Sequence, residues 1–314
     1  MSKVVLIDGN ALLHRAFHAV PAHFSTSKGE QTNAIYGFAN VFINILNELQ
    51  PDMMAVAFDR KAPTFRHEEF EDYKATRVKA PDELYAQIPR IKEVVESFNV
   101  PIYELDGYEA DDVIGTLADK ACREGKEVIV VTGDLDALQL VNGHIKVCTY
   151  RKGFQETILY DRAKVKERYG LSPEQIVDFK AIAGDSSDNI PGVAGIGKVG
   201  ATKLLQAYGT LEKIYLALDD GSFIGFSEGI KKKLLDNREQ AFLSRHLATI
   251  VRDVPFEFDF ADMKVDNLDL GKVAELFQEL EFVSLLRKLG SDEAQETETI
   301  KIEEDPQVEQ GTLF

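Results

Sequence analysis

Three runs of apolar, β-branched residues each stop at an aspartate: KVVLI at Asp8, MMAVAF at Asp59, and EVIVVTG at Asp134, with Asp136 two residues later. Further acids stand in YEADD (Glu109, Asp111, Asp112) and in GDSSDNI (Asp185, Asp188). Carboxylates are hard oxygen ligands of the kind that suits Mg²⁺ or Mn²⁺. Nine of them in one pocket would repel and resist ionisation unless cations held them together. Taken singly, each has a plainer use. Glu109, Asp111 and Asp112 would be favourable charges at a helix N-terminus, Asp134 and Asp136 turn or cap residues, and Asp185 and Asp188 helix caps. The metal-site reading gains from joint placement, since separate caps have no reason to fall at the same edge of one sheet.

Two other segments have the chemistry of phosphate recognition. In PGVAGIGKVGATKLLQAYG, residues 191–209, Gly192, Gly195 and Gly197 form a tight turn before a helix with apolar Ala201, Leu204 and Leu205. Backbone N–H groups at such a helix start can hold a DNA phosphate without regard to sequence, and Lys198 and Lys203 add positive charge. The spacing GxxGIGxxxAxxLL matches a helix-hairpin-helix. In the long connection after Asp59, the residues Phe70, Tyr73, Lys74 and Arg77 stand at i, i+3, i+4 and i+7, which predicts one helical face that Pro81 separates from the next helix. That face suits stacking on an unpaired base and holding a phosphate; the alternative is an amphipathic helix with Phe70 and Tyr73 packed inward. The run Lys231, Lys232 and Lys233 is either a further phosphate patch or a solvated face.

The elements that must position these groups are legible in outline. Segments at 3–7, 53–58, 100–105, 127–132 and 144–150 have strand character and alternate with helical-period stretches, which predicts an α/β fold around a mainly parallel sheet over residues 1–170. In open parallel sheets ligands bind beyond the carboxyl ends of the strands, so the acids should meet there. Residues 171–290 read as almost wholly helical, and 291–314 as an acidic disordered tail.

The chain has 314 residues, 44% hydrophobic, with a formal net charge of −17. That charge is at odds with a nucleic-acid partner until its distribution is considered. Eight of the 53 acidic residues lie after Gly290 beside a single Lys301, and nine more are the candidate ligands, which leaves the folded body near neutral. No apolar run is long enough for a membrane span and no signal peptide opens the chain, so a soluble, cytoplasmic protein, a monomer with no membrane partner, is expected. Cys122 and Cys148 lack zinc or disulfide spacing and are expected to be buried thiols.

The motifs LIDGN, VAFD, TFRH with YKATR, YEADD, VTGDLD and GDSSDNIPGVAGIG, in this order, resemble the 5′ nuclease (5′-3′ exonuclease) domain of bacterial DNA polymerase I and its flap-endonuclease relatives, from about Lys3 to Leu289. The resemblance implies a PIN-like fold with a helical arch over the site at about 60–98. It implies two metal ions bound by Asp8, Asp59, Glu109, Asp111, Asp112, Asp134, Asp136, Asp185 and Asp188, and a hairpin that grips duplex DNA and often holds K⁺. Lys74 and Arg77 would contact the scissile phosphate, and Tyr73 would stack on the terminal nucleotide. The implied activity is 5′-3′ exonuclease and 5′-flap cleavage of flapped, nicked or gapped DNA, leaving 5′-phosphates, in primer processing and repair near the nucleoid, with a DNA polymerase as partner. The last residues, Gln310 to Phe314, resemble the peptide that docks bacterial proteins on the sliding clamp. The rivals are a PIN-type ribonuclease, a non-catalytic DNA-binding module and a phosphatase with Asp8 as nucleophile; Gly9 and Asn10 after Asp8 speak against the last.

Overall fold

A computed structural model describes residues 1–151 and 156–290. Six strands, β1 (Lys3–Asp8), β2 (Met53–Ala57), β3 (Ile102–Tyr103), β4 (Glu127–Val131), β5 (Ile145–Arg151) and β6 (Glu156–Tyr160), form one sheet in the order β3-β2-β1-β4-β5-β6. All pairings are parallel except β5 with β6. The mainly parallel sheet expected from the alternation is therefore present, with β6 as an antiparallel edge that the strand pattern did not disclose.

The strands alternate between two apolar cores, as a period of two requires when both faces are covered. Val5, Ile7, Met54 and Val56 face one core; Val4, Leu6, Ala55 and Ala57 face the other. The first core is covered by α1 (Gly9–Ala19), α2 (Asn33–Leu49) and α4 (Asp82–Ser97), and the second by α5 (Ala110–Arg123) with α6 (Arg162–Tyr169). Between α2 and α4, the short α3 (Phe65–Glu69) follows β2.

A third core joins α7 (Ile176–Ala183), α8 (Lys198–Tyr208), α9 (Leu211–Asp220), α10 (Glu228–Asp236) and α11 (Arg238–Ala248). The helical reading of the second half holds, but not all of it forms one body. The final helices, α12 (Leu270–Glu279) and α13 (Val283–Leu289), bury Val273, Phe277, Leu285 and Leu286 in the first core. Met54 N donates to Met263 O at 2.7 Å, tying this return segment to the sheet.

The stretch expected as a helical arch is built differently. Helix α3 ends at Glu69, residues 71–76 run through successive turns, and α4 begins directly after Pro81. Phe70, Tyr73, Lys74 and Arg77 thus do not share a helical face. Lys74 has φ +56°, a left-handed conformation that no helix interior accommodates, and its N–H donates to Asp188 O at 2.9 Å instead. Helix α4 is a wall of the first core, through Leu84, Ile91, Val94 and Val95.

Candidate metal centre

The strand order reverses at β1, whose neighbours are β2 and β4, and at such a point the loops leaving adjacent strands part and open a crevice. Asp8, the last residue of β1, caps α1: its carboxylate accepts from Ala11 N at 2.9 Å and from Thr132 Oγ1 at 2.7 Å. Asp59, just past β2, accepts from Ala110 N at 2.7 Å and from the Asn10 side chain. Asp134, just past β4, accepts from Asp136 N at 2.9 Å and so begins a 3-10 helix, Leu135–Leu140. Asp111 lies in the first turn of α5.

These acids feel one another as like charges. Burial, followed by Asp59 and Asp134, pushes Asp8 up to about 6. Burial with Asp134, Asp8 and Asp136 raises Asp111 well above the carboxylate range. Asp136 rises to about 7 through burial and Asp134, against the pull of Lys180. Among the described residues no hydrogen-bond donor faces the Asp111 carboxylate. Unpaired carboxylates packed in this way favour a multivalent cation, and the donors are hard oxygens with no thiol or imidazole among them, so the set fits Mg²⁺ or Mn²⁺. As the side chains stand, no three His, Cys, Asp or Glu of the described residues close to metal-ligand spacing.

The remaining acids are neutralised by the chain itself. Lys180, from α7, bridges Asp136 and Asp185. Burial pushes Asp185 up, but Lys180 and Ser187 outweigh it and hold the acid at about 2. Glu109 accepts from Lys74 Nζ at 2.6 Å and from the Tyr73 hydroxyl at 3.1 Å. Asp188 accepts from Arg77 at 2.6 Å and from Tyr73 at 3.3 Å. Burial alone would lower the Lys74 ammonium; Glu109 and Asp188 more than reverse this and keep it charged.

Three expectations change here. Asp112 is 0% exposed, with both oxygens taken by Arg66 at 2.7 and 2.8 Å. Tyr73, 3% exposed, has no open face for a nucleotide: it packs with Ile190, Leu247 and Ala248, with Phe70 against the same cluster. Its position follows from the turns at 71–76, which direct it inward where a continuous helix would direct it to one side. Phe70 likewise packs inward rather than presenting a stacking surface.

The glycine turn lies between α7 and α8. Gly192, at φ +64°, approaches Gly184 so closely that an added Cβ would come within 2.3 Å of the Gly184 nitrogen, which only glycine permits. Gly195, Gly197, Lys198 and Lys203 are exposed around the start of α8, while Lys233 Nζ donates to Gly195 O at 2.8 Å. Cys148 is buried and Cys122 half-buried, both free thiols. Gln310 to Phe314 fall outside the described residues.

Two basic side chains at the site, Arg66 and Lys180, were not singled out by sequence. Arg66 stands inside the TFRH motif and offered that much signal. Lys180 offered none, being a lone lysine five residues before Asp185.

A family model of the 5′-3′ exonuclease N-terminal, resolvase-like domain matches residues 3–170, and one of the 5′-3′ exonuclease C-terminal SAM fold matches residues 171–270. The chain is 43% identical over 314 residues to DNA polymerase I of Caldicellulosiruptor bescii, covering 99% of this chain and 36% of that protein. It is 46% identical over 294 residues to DNA polymerase I of Bacillus caldotenax, covering 94% and 33%. The chain thus spans about a third of the length of these polymerases. The bacteriophage T5 flap endonuclease, solved as a pseudo-enzyme-product complex with DNA and metal ions, shares the fold with a TM-score of 0.64 at 18% identity, over 94% of this chain and 96% of that one. With this sheet and these family and sequence matches, the chain belongs to the 5′-3′ exonuclease family.

Proposed function

We propose that the chain is a divalent-metal-dependent 5′-3′ exonuclease and 5′-flap endonuclease that hydrolyses DNA phosphodiester bonds by a two-metal-ion mechanism. The observation that carries this reading is the group Asp8, Asp111 and Asp136 at the reversal of strand order, raised by burial and then by neighbouring carboxylates, Asp134 among them, with no hydrogen bond to the Asp111 carboxylate among the described residues. Asp8, Asp59, Asp111 and Asp134 would hold one or both ions, with Asp136 and Asp185 joining as Lys180 yields. When bound, the ions supply the charge that clamps a scissile phosphate and makes water nucleophilic near neutral pH.

The chain's own groups do the rest. Lys74 and Arg77 stand beside Glu109 and Asp188, where they can turn to an incoming phosphate and offset charge that develops as the bond breaks. Tyr73, kept protonated by burial and by Glu109 and Asp188, orients both carboxylates. The backbone N–H groups at the start of α8, with Lys198 and Lys203, would hold duplex phosphates, and carbonyl oxygens of the glycine turn would hold a K⁺ ion, which selects DNA by shape rather than sequence. We place the activity in RNA-primer removal and DNA repair in the bacterial cytoplasm, by a monomer working with a DNA polymerase and tethered to the sliding clamp through Gln310 to Phe314.

The deciding experiment is digestion of a labelled 5′-flap duplex, with an RNA flap alongside, in Mg²⁺ and in EDTA. The expected result is a discrete product with a 5′-phosphate in Mg²⁺ and none in EDTA. Equal cutting in EDTA, or no cutting with Mg²⁺ or Mn²⁺, refutes the proposal.

A further inference from the structure

We infer that Arg66 and Asp112 form a buried clamp that positions Asp111 for metal and fixes the helical region in register with the metal centre, so that Asp112 is a positioning residue and not a ligand. The inference rests on the metal-dependent reading above and concerns how the site is held.

Four hydrogen bonds leave Arg66 and four reach Asp112. A guanidinium has five N–H donors in a rigid fork, and an ionised carboxylate has about four lone-pair sites. Arg66 is 3% exposed. Its Nε donates to Leu247 O at 2.9 Å, and its two terminal nitrogens donate to the two Asp112 oxygens at 2.7 and 2.8 Å. One of those nitrogens also donates to Thr249 O at 2.7 Å, and the other lies 3.5 Å from Glu109. Four of the five donors are thus bonded, and the nitrogen that carries the fifth is ion-paired with Glu109. Asp112, besides Arg66, accepts from Val251 N at 2.8 Å and from Glu109 N at 3.1 Å. Two donors on each oxygen leave no lone pair for a cation.

Three chain segments meet in this pair: α3 through Arg66, the first turn of α5 through Asp112, and the end of α11 with the segment after it through Leu247, Thr249 and Val251. Pinning Asp112 fixes the turn that carries Asp111, its neighbour in the chain, whose carboxylate lies among Asp8, Asp134 and Asp136. The same α11 holds the glycine turn from behind: Gly192 N donates to Ser244 Oγ at 3.0 Å and Gln240 donates to Gly192 O at 2.6 Å. Hydrogen bonds therefore link Asp112, next in the chain to Asp111, through Arg66 and α11 to the turn proposed to grip duplex DNA. Its length and rigidity set how far from the duplex grip the cut falls.

Lysine is the discriminating replacement, because a point charge on a flexible stem can reach one Asp112 oxygen but cannot satisfy both oxygens and two carbonyls together. For Arg66→Lys we expect Mn²⁺ affinity, measured calorimetrically without DNA, to fall about 10- to 100-fold, the magnitude typical of groups that orient metal ligands. At saturating metal we expect lower kcat with little change in KM, and flap products spread over neighbouring positions where the wild type gives one. The double variant Arg66→Met/Asp112→Asn, which removes both charges and so avoids leaving either buried alone, is expected to fold and to bind Mn²⁺ with wild-type stoichiometry at reduced affinity. Wild-type Mn²⁺ affinity and a single cut position in Arg66→Lys would overturn the clamp, as would a lower stoichiometry in the double variant. Asp111→Asn serves as the control for the underlying reading: if it binds Mn²⁺ as tightly as wild type, the metal centre itself is misassigned, and the clamp falls with it.

Discussion

The acid cluster has two halves that differ in what balances their charge. On one side Asp8, Asp59 and Asp134 lean on backbone N–H groups and neutral side chains, Asp111 accepts no hydrogen bond among the described residues, and these acids repel one another. On the other, Glu109, Asp112, Asp185 and Asp188 are each met by a lysine or arginine of the same chain. The first half stores repulsion that Lys74 offsets only in part at Asp111 and that an added cation would relieve, whereas the second is balanced before any ion arrives. Asp136 stands on the boundary, repelled by Asp134 and held by Lys180. Where a fold leaves carboxylates without internal partners, it reserves them for something outside the chain; where it supplies partners, the acids have become part of the scaffold.

The sharpest way to break this comparison is to remove one acid from the repelling half. Asp111→Asn should lower flap cleavage roughly 10³-fold, the scale of a lost electrostatic stabiliser at a reacting centre, while raising the melting temperature in EDTA, because a buried like charge has gone. Loss of activity accompanied by loss of metal-free stability would mean that Asp111 belongs to the balanced half. Lys180→Ala comes next. Lys180 and its two partners are largely buried, and leaving Asp136 and Asp185 facing one another should cost about 3 kcal/mol in EDTA, with part regained on adding Mg²⁺, read by thermal melting.

The pH response separates the halves more gently. Asp8 and Asp136 hold protons in the folded protein up to about 6 and 7, above the 3.8 of an unperturbed aspartate. The folded state thus binds more protons than the unfolded state between these values, and stability falls as pH rises wherever that is so. Metal-free protein should lose stability between about pH 4 and pH 7, and Mg²⁺ should abolish most of the decline; a metal-free stability that climbs over this range would contradict the assignment. Asp185, held at about 2, acts in the opposite sense, and its contribution is lost only below pH 4. The smallest effect is expected far from both halves. Lys203→Ala should weaken duplex binding uniformly across sequences and reduce the slope of log affinity against log salt by about 1, with kcat unchanged at saturating DNA.

Much of this architecture was legible from residue types. Runs of Val, Ile and Leu ending in aspartate gave the strand positions and the edge on which the acids gather, because strand propensity and the period of two are local properties. The turn at Gly192 was legible from the spacing of Gly192, Gly195 and Gly197 ahead of a helix, while the close approach to Gly184 that excludes a side chain there was not. The segment from Phe70 to Arg77 shows the limit. Its spacing fits a helix as well as it fits a series of turns, and the choice was made by Asp188 O binding Lys74 N and by Asn189 donating to Asp72 O, partners more than a hundred residues away. The return of α12 and α13 to the first core was equally hidden, because an amphipathic helix shows that it buries a face and not which core receives it.

By itself, the sequence determined the inventory: an α/β sheet followed by helices, nine acids at strand and helix ends, a glycine-rich turn before a helix. Only the tertiary structure decided which acids stay unpaired and which are consumed, because pairing depends on where Arg66, Lys74, Arg77 and Lys180 come to rest. A side chain's intrinsic charge is a local property and survives in any context. Its compensation is a matter of distance between groups remote in the chain, and that distance exists only once the chain has folded.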